Sequence, residues 1–300
     1  MKLQPLFFLG VLTTSCRVNA FTAAMKPWGH YSTIGFDYEQ RYDEEWPYRS
    51  FTSILQDNNT EQIRFDNHFM FRMATPSGAE LWMVVTGETD QGATDVLDFN
   101  PHFFGPSRVS VEVAKTNEDW SGFEAWVEAR CVDNDLPLEF ACPNYAMHKD
   151  SLKMNSFVEI QLAAFAHEIE TFDTVEKFNE ESSKRSNLWD TQEGNTAWPC
   201  MYIKSFALAS LFDQSKACHA VFTGHVLKTE RKVNEKTGQP FYWALVNTLC
   251  GDVDVVVDPN CLKYYHCSPP KAGGVIQGNF WLSGRIMNES PIDDTHSTRH

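Results

Sequence analysis

The sequence predicts a mainly β protein: two small barrels in tandem, joined by a helix. Three observations carry that expectation. Phe123-Glu124-Ala125-Trp126-Val127 leads into Cys131, with Cys142 eleven residues later, and Tyr242-Trp243-Ala244-Leu245-Val246 leads into Cys250, with Cys261 again eleven residues later. Each of these units opens on a strand-like run ending in lysine (Val109 to Lys115, Val221 to Lys228) and closes on an alternating run (Ile160 to His167, Ile276 to Ser283). A repeat of this length is a whole small β-domain rather than one turn of a solenoid. Each unit divides into four or five short runs with glycines at the bends, among them Gly224, Gly238, Gly251, Gly278 and Gly284, which is the spacing of a small barrel. Finally, 300 residues at 42% apolar leave room for two cores.

In chain order, residues 1–20 read as a signal peptide. An apolar run from Pro5 to Leu12 follows Lys2, and Val18-Asn19-Ala20 supplies small residues at the cleavage positions. Residues 21–63 form a targeting segment and irregular lead-in. Phe21 would be the new N-terminus, and no acidic residue precedes Asp37. This acid-poor stretch resembles the bipartite plastid-targeting leaders of diatoms and related algae, so the chain is expected to enter the secretory pathway and end in a plastid or outside the cell. No other run is apolar enough to span a bilayer, so the mature chain is expected to lack a transmembrane anchor.

The first barrel domain is expected over 64–170. It opens with a hairpin whose turn is Thr75-Pro76-Ser77-Gly78. Residues 171–215 hold a helix, started by a capping box at Asp173-Thr174-Val175-Glu176, and a polar linker from Ser186 to Pro199. The second barrel domain is expected over 216–287, and residues 288–300 read as a disordered tail.

The last strand is two-faced. Ile276, Phe280, Leu282 and Ile286 fall on one side; Gln277, Asn279, Trp281, Ser283 and Arg285 fall on the other, where water or a ligand is expected. The matching strand puts Ile160, Leu162, Ala164 and Ala166 inside and Gln161, Phe165 and His167 outside. Thr223-Gly224-His225-Val226, Thr237-Gly238-Gln239-Pro240-Phe241 and Gly278-Asn279-Phe280-Trp281-Leu282-Ser283-Gly284-Arg285 resemble the C-terminal module of an uncharacterised bacterial-type protein family, over about the last eighty residues. That resemblance implies homology and no activity. The strand count and glycine bends are also similar to OB-fold barrels, at the level of fold alone.

An aromatic beside a cation on a barrel strand is how OB-like domains stack bases or sugars. Trp281, Ser283 and Arg285, with Phe165 and His167 opposite, are therefore the candidate ligand-binding residues. Lys228, Arg231 and Lys232 join them as the dense basic cluster, in what reads as the loop after the first strand of the second unit. The commoner use of such a face is packing against a neighbouring repeat or helix. A net charge of −15 repels phosphate backbones and weighs against nucleic acid.

Asp254, Asp258, Cys261 and His266 are ligand types that suit zinc, but they match no finger or catalytic spacing, and Asp254 alternates with valines as a solvent-facing residue would. No metal, cofactor or catalytic residue is therefore expected. Nucleophile-elbow, Walker and dinucleotide motifs are all missing. In an oxidising compartment, Cys131 would pair with Cys142 and Cys250 with Cys261; in a reducing one these are ordinary core thiols. The leading expectation is a non-enzymatic binding or assembly module for a protein or small ligand. Single-stranded nucleic-acid binding and a hydrolase with its site between the barrels are the alternatives.

Overall fold

The computed structural model describes residues 28–36, 60–65, 68–86, 96–119, 122–188, 203–211 and 216–287. The leader, most of the lead-in, the linker beyond Leu188, Cys200 and the C-terminal tail lie outside the described residues. The chain is mainly β. Four strands, β1 (Thr60–Phe65), β2 (His68–Ala74), β3 (Ala79–Thr86) and β4 (Val96–Phe103), form an antiparallel meander in that order. The hairpin turn falls where Thr75 and Gly78 place it: the Thr75 hydroxyl donates to the Ala79 carbonyl and accepts from the Ala79 amide.

Nine further strands make a second sheet. β5 (Val109–Glu118), β6 (Ala125–Cys131) and β7 (Pro137–Cys142) are followed by helix α1 (Tyr145–His148) and the long β8 (Phe157–Phe172). Helix α2 (Val175–Leu188) and the short β9 (Phe206–Leu208) come next. Then β10 (His219–Val233), β11 (Pro240–Thr248), β12 (Gly251–Val257), helix α3 (Pro259–Tyr264) and β13 (Val275–Ile286) repeat the first pattern. Helix α2 starts where the capping signal stands, with the Thr174 hydroxyl accepting from the Lys177 amide.

The pairings run in two five-strand circuits that share β8 and β13. One is β8-β5-β6-β7-β13, the other β13-β10-β11-β12-β8. The shared strands pair antiparallel over their whole common length, from Val275↔Phe172 to Ile286↔Ile160. The parallel side of each circuit is thin: three residue pairs join β12 to β8, and one joins β13 to β7. Each ring is therefore nearly open along that seam. One apolar cluster runs through both rings and contains Ile160, Leu162, Ala164, Ala166, Ile276, Phe280, Leu282 and Ile286, the inward set that alternation assigns.

Register relates the two halves. A bulge between Val113 and Lys115 on β5 matches one between Val226 and Lys228 on β10. Val113 faces Ala129 and Val226 faces Val246, so Trp126 and Trp243 fall at equivalent positions. The cysteine spacing, which aligns Cys131 with Cys250, is two residues out: Cys131 corresponds to Thr248. Cysteines here follow local packing and not ancestry of position.

The second correction concerns the outer face of β8 and β13. The four-stranded sheet lies against it, and Phe71, Leu81, Met83 and Phe103 pack on Ala163, Phe165, Trp243, Val256 and Trp281. Burial on both faces explains the unbroken apolar stretch Leu162 to Ala166 on β8.

Candidate functional site

The β13 face expected to meet a ligand is divided between two environments. At its C-terminal end Ser283 and Arg285 are covered by the four-stranded sheet. Arg285 forms an ion pair with Glu80 at 3.1 Å and lies over the rings of Trp82 and Phe104. Glu80 also accepts from Arg72 and from the Trp82 indole. Arg285 is thus committed to holding the sheet down and is not a free ligand-stacking cation.

Beside it runs a hydrogen-bonded chain with one direction. The Gln161 carbonyl oxygen can only accept, so His102 Nε2–H donates to it at 2.6 Å. Nδ1 of His102 then accepts from the Ser283 hydroxyl at 2.8 Å. Gln161 in turn donates to Asp254 at 2.8 Å, and Asp254 also accepts from the Ser107 amide and the Trp243 indole. The expectation that Asp254 faces solvent is overturned, because the covering sheet buries it completely. Burial raises its carboxyl, with the three donors opposing. Gly105 makes room for it, since a Cβ there would lie 2.2 Å from its Oδ1.

Burial pushes His102 down to about 4, with Glu80 opposing, so the ring is neutral at physiological pH. Burial also works against the charge on Glu80, but Arg72 and Arg285, joined by His102 wherever acid protonates its ring, outweigh it and hold that carboxyl below its ordinary value. The order Ser–His–Gln–Asp has the polarity of a nucleophile, its base and an orienting acid. Ser283, His102, Gln161 and Asp254 are nonetheless all fully buried, so no substrate reaches them in this arrangement.

The other end of the face is open. His30, in the turn before a short 3-10 segment (Ser32–Ile34), meets His167 of β8 and His219 of β10, and their ligand atoms lie within 4.8 Å of one another. All three are half-buried. His30 Nε2 and His167 Nε2 are 2.6 Å apart, and the His30 ring stacks on Trp281 at 4.2 Å. Phe165 closes the notch edge-on to Trp281.

Backbone irregularities present these side chains. Glu168 faces Asn279 and Ala166 faces Phe280, which leaves His167 as the extra residue of a β-bulge. Nearby Gly278, which pairs with Ile169, is required, because a Cβ there would sit 2.1 Å from the Glu168 carbonyl. Cys218, immediately before His219, holds a left-handed φ of 60°. The Trp28 indole donates to the His167 carbonyl, and Asn234 donates to the Ile34 carbonyl, tying the N-terminal segment across the site. Burial lowers the proton affinity of His219, with Asn279 opposing. Asn279 is more than nine-tenths buried, and its Oδ1 stands beside His219 with the contact short of a completed hydrogen bond.

Comparison with protein-family models finds no match, and neither does comparison with characterised proteins.

Of the residues the sequence singles out, Trp281, Phe165 and His167 come together in the notch, while Ser283 and Arg285 belong to the sealed seam. Lys228, Arg231 and Lys232 lie elsewhere, on β10 itself and not in a loop. Lys228 is nine residues along the strand from His219, about 30 Å at the usual rise. Lys232 pairs with Glu230 and covers the Trp243 ring. His30 and His219 were missed. The cue available for His219 was its place at the mouth of a strand; His30 offered none, since it lies in an acid-poor stretch that reads as targeting sequence.

The cysteine pairing also changes. Cys131 is bonded to Cys250, with Cα atoms 6.2 Å apart, and not to Cys142; Cys142 and Cys261 are both buried. The β6–β7 hairpin explains this: Cys142 pairs with Ala125, at the opposite end of β6 from Cys131. Asp258 caps helix α3 through the Asn260 amide, and neither it nor Asp254, Cys261 or His266 joins a group of metal-ligating side chains among the described residues.

Proposed function

We propose that the protein is a non-enzymatic binding module and that its ligand enters the notch of His30, His167, His219 and Trp281. One observation carries this reading: a bulge and a left-handed residue bring three half-buried imidazoles to a common point, their ligand atoms within 4.8 Å, with the polar side chain of Asn279 buried beside them. Native structures satisfy nearly all buried polar groups, so such a spot is where a ligand completes the set. The nucleic-acid alternative draws little support. Trp281 is 9% exposed and its face is occupied by His30, while Arg285 is spent on Glu80. The hydrolase alternative has a fitting Ser283–His102 pair but no route for substrate to reach it. The Cys131–Cys250 bond favours an oxidising destination, in keeping with export by the leader. No helix among the described residues is long and apolar enough to cross a membrane.

Thermal denaturation in the presence of a fixed panel of small anions, sugars, nucleotides and divalent metal salts tests the reading. At least one probe is expected to raise the Tm of the wild-type chain and to leave the His167→Ala variant unmoved. Identical responses of the two proteins across the whole panel would sink it.

A further inference from the structure

We infer that the notch is a three-histidine site for a divalent first-row transition metal of the zinc class, with a fourth position open to water or a small anion; this rests on the binding-module reading above. The residue types fit. Imidazole nitrogen suits zinc, cobalt, nickel and copper, and three protein nitrogens with one open position is the pattern of sites that exchange a ligand. The dimensions fit as well. An ion held tetrahedrally at about 2.0–2.1 Å from each nitrogen separates those nitrogens by about 3.3 Å. His30 and His167 stand closer than that, at 2.6 Å, while the whole set spans no more than 4.8 Å. Shifts on the order of 1 Å therefore seat an ion between them.

The surroundings point the same way. At 2.6 Å two imidazole nitrogens share a single proton, and a metal ion would displace it to solvent, binding each ring as neutral imidazole with its proton on Nδ1. Second-shell contacts that fix ligand orientation are already made: Trp281 stacks flat on His30, and the Trp28 indole holds the carbonyl of His167. Asn279 Oδ1, buried without a completed hydrogen bond next to His219, is placed to accept from a water or hydroxide on the open position or from the His219 ring. Three neutral ligands leave both positive charges on the ion. The group in the fourth position is therefore expected to be anionic: hydroxide, or a carboxylate or phosphate offered by a ligand. Among the described residues no acidic side chain joins the three histidines.

The donors come from three distant stretches of chain, and one of them, His30, lies on the segment that crosses both shared strands. Binding would consequently clamp residues 28–36 onto the barrel.

The full chain, prepared without a polyhistidine tag and stripped with chelator, is titrated with cobalt(II) and then zinc(II). Calorimetry reads affinity and stoichiometry, and visible absorption reads coordination. One ion per chain is expected, with the intense bands of four-coordinate cobalt. His30→Ala lies outside both sheets and leaves every strand ladder intact, so it is the cleanest variant. It should weaken binding by more than about 100-fold, beyond what losing a second-shell contact does. His219→Ala should do the same, whereas His266→Ala, an exposed histidine elsewhere, should bind as wild type does. Failure of the wild-type chain to bind either ion, or a loss of less than about tenfold in His30→Ala, would overturn the inference. If neither metal binds but another compound of the panel stabilises wild type and not His167→Ala, the metal site falls and the binding module stands.

Discussion

Trp281 and Ser283 are two residues apart on β13, point the same way, and each meets an imidazole. Their fates differ. Ser283 donates to His102, and from there every donor along Gln161 and Asp254 has its acceptor. Trp281 stacks on His30 in a cluster where the contact between His219 Nδ1 and Asn279 Oδ1 is short of a completed hydrogen bond. A satisfied buried network fixes one packing of two elements and resists change. An unsatisfied one costs stability and persists where something outside the chain completes it. The first region thus glues the four-stranded sheet to the double ring, and the second is where we propose that a ligand binds. Mutations should separate them: damage to the seam unfolds the protein, and damage to the notch spares the fold.

The largest effect should come from the seam. Asp254→Ala strips the acceptor from three buried donors at once, the Ser107 amide, the Trp243 indole and the Gln161 amide. A loss of about 3–5 kcal/mol is expected in urea denaturation, since each stranded donor keeps its desolvation cost. An effect below about 1 kcal/mol would mean that the sheet is not held through this network. Reducing the Cys131–Cys250 bond comes next. It joins the β6 end of one circuit to the β11–β12 turn of the other, and its loss should cost about 2–4 kcal/mol in the same assay run with and without dithiothreitol.

Acid should loosen the seam in a defined window. His102 titrates near 4 in the fold and at the ordinary 6.5 when the chain unfolds. Between those values the unfolded chain binds the extra proton, so the stability contributed by the neutral ring is complete above 6.5 and drains away toward 4. The expected loss across that window is about 3 kcal/mol. The test is the difference between wild type and His102→Gln, whose urea midpoints should follow different pH profiles there. Parallel profiles would show that His102 does not govern the acid limb.

Much of the architecture was legible. Alternation along Ile276 to Ile286 assigned the inward set correctly because those residues line one shared apolar interior, a matter of strand period alone. Thr174 announced its helix because a cap is a local interaction. The outer face was misjudged for the opposite reason. Whether Ser283 or Arg285 meets water depends on Glu80 and His102, which lie far away in sequence on a sheet whose docking leaves no local trace. The notch was half legible. His167 and Trp281 stand on readable strands, but the bulge that turns His167 outward is a two-strand property, and His30 reaches the site from a separate segment altogether. Cysteine spacing misled because two hairpins can conserve a count without conserving the ends at which the thiols stand.

The smallest effect is the most informative. His219→Ala, measured in chelator-treated buffer, should shift stability by less than about 1 kcal/mol, because its contact with Asn279 is short of a completed hydrogen bond and the ring is half-exposed. Burial lowers its proton affinity, so it sits neutral at pH 7 and its removal strands no charge. Set beside Asp254→Ala, this near-silence is what separates a site from a scaffold. The two side chains serve strands of the same sheet; if His219→Ala instead cost as much as Asp254→Ala, the histidines would be holding the N-terminal segment in place, and the notch would be a second seam whose bonds are made through the backbone.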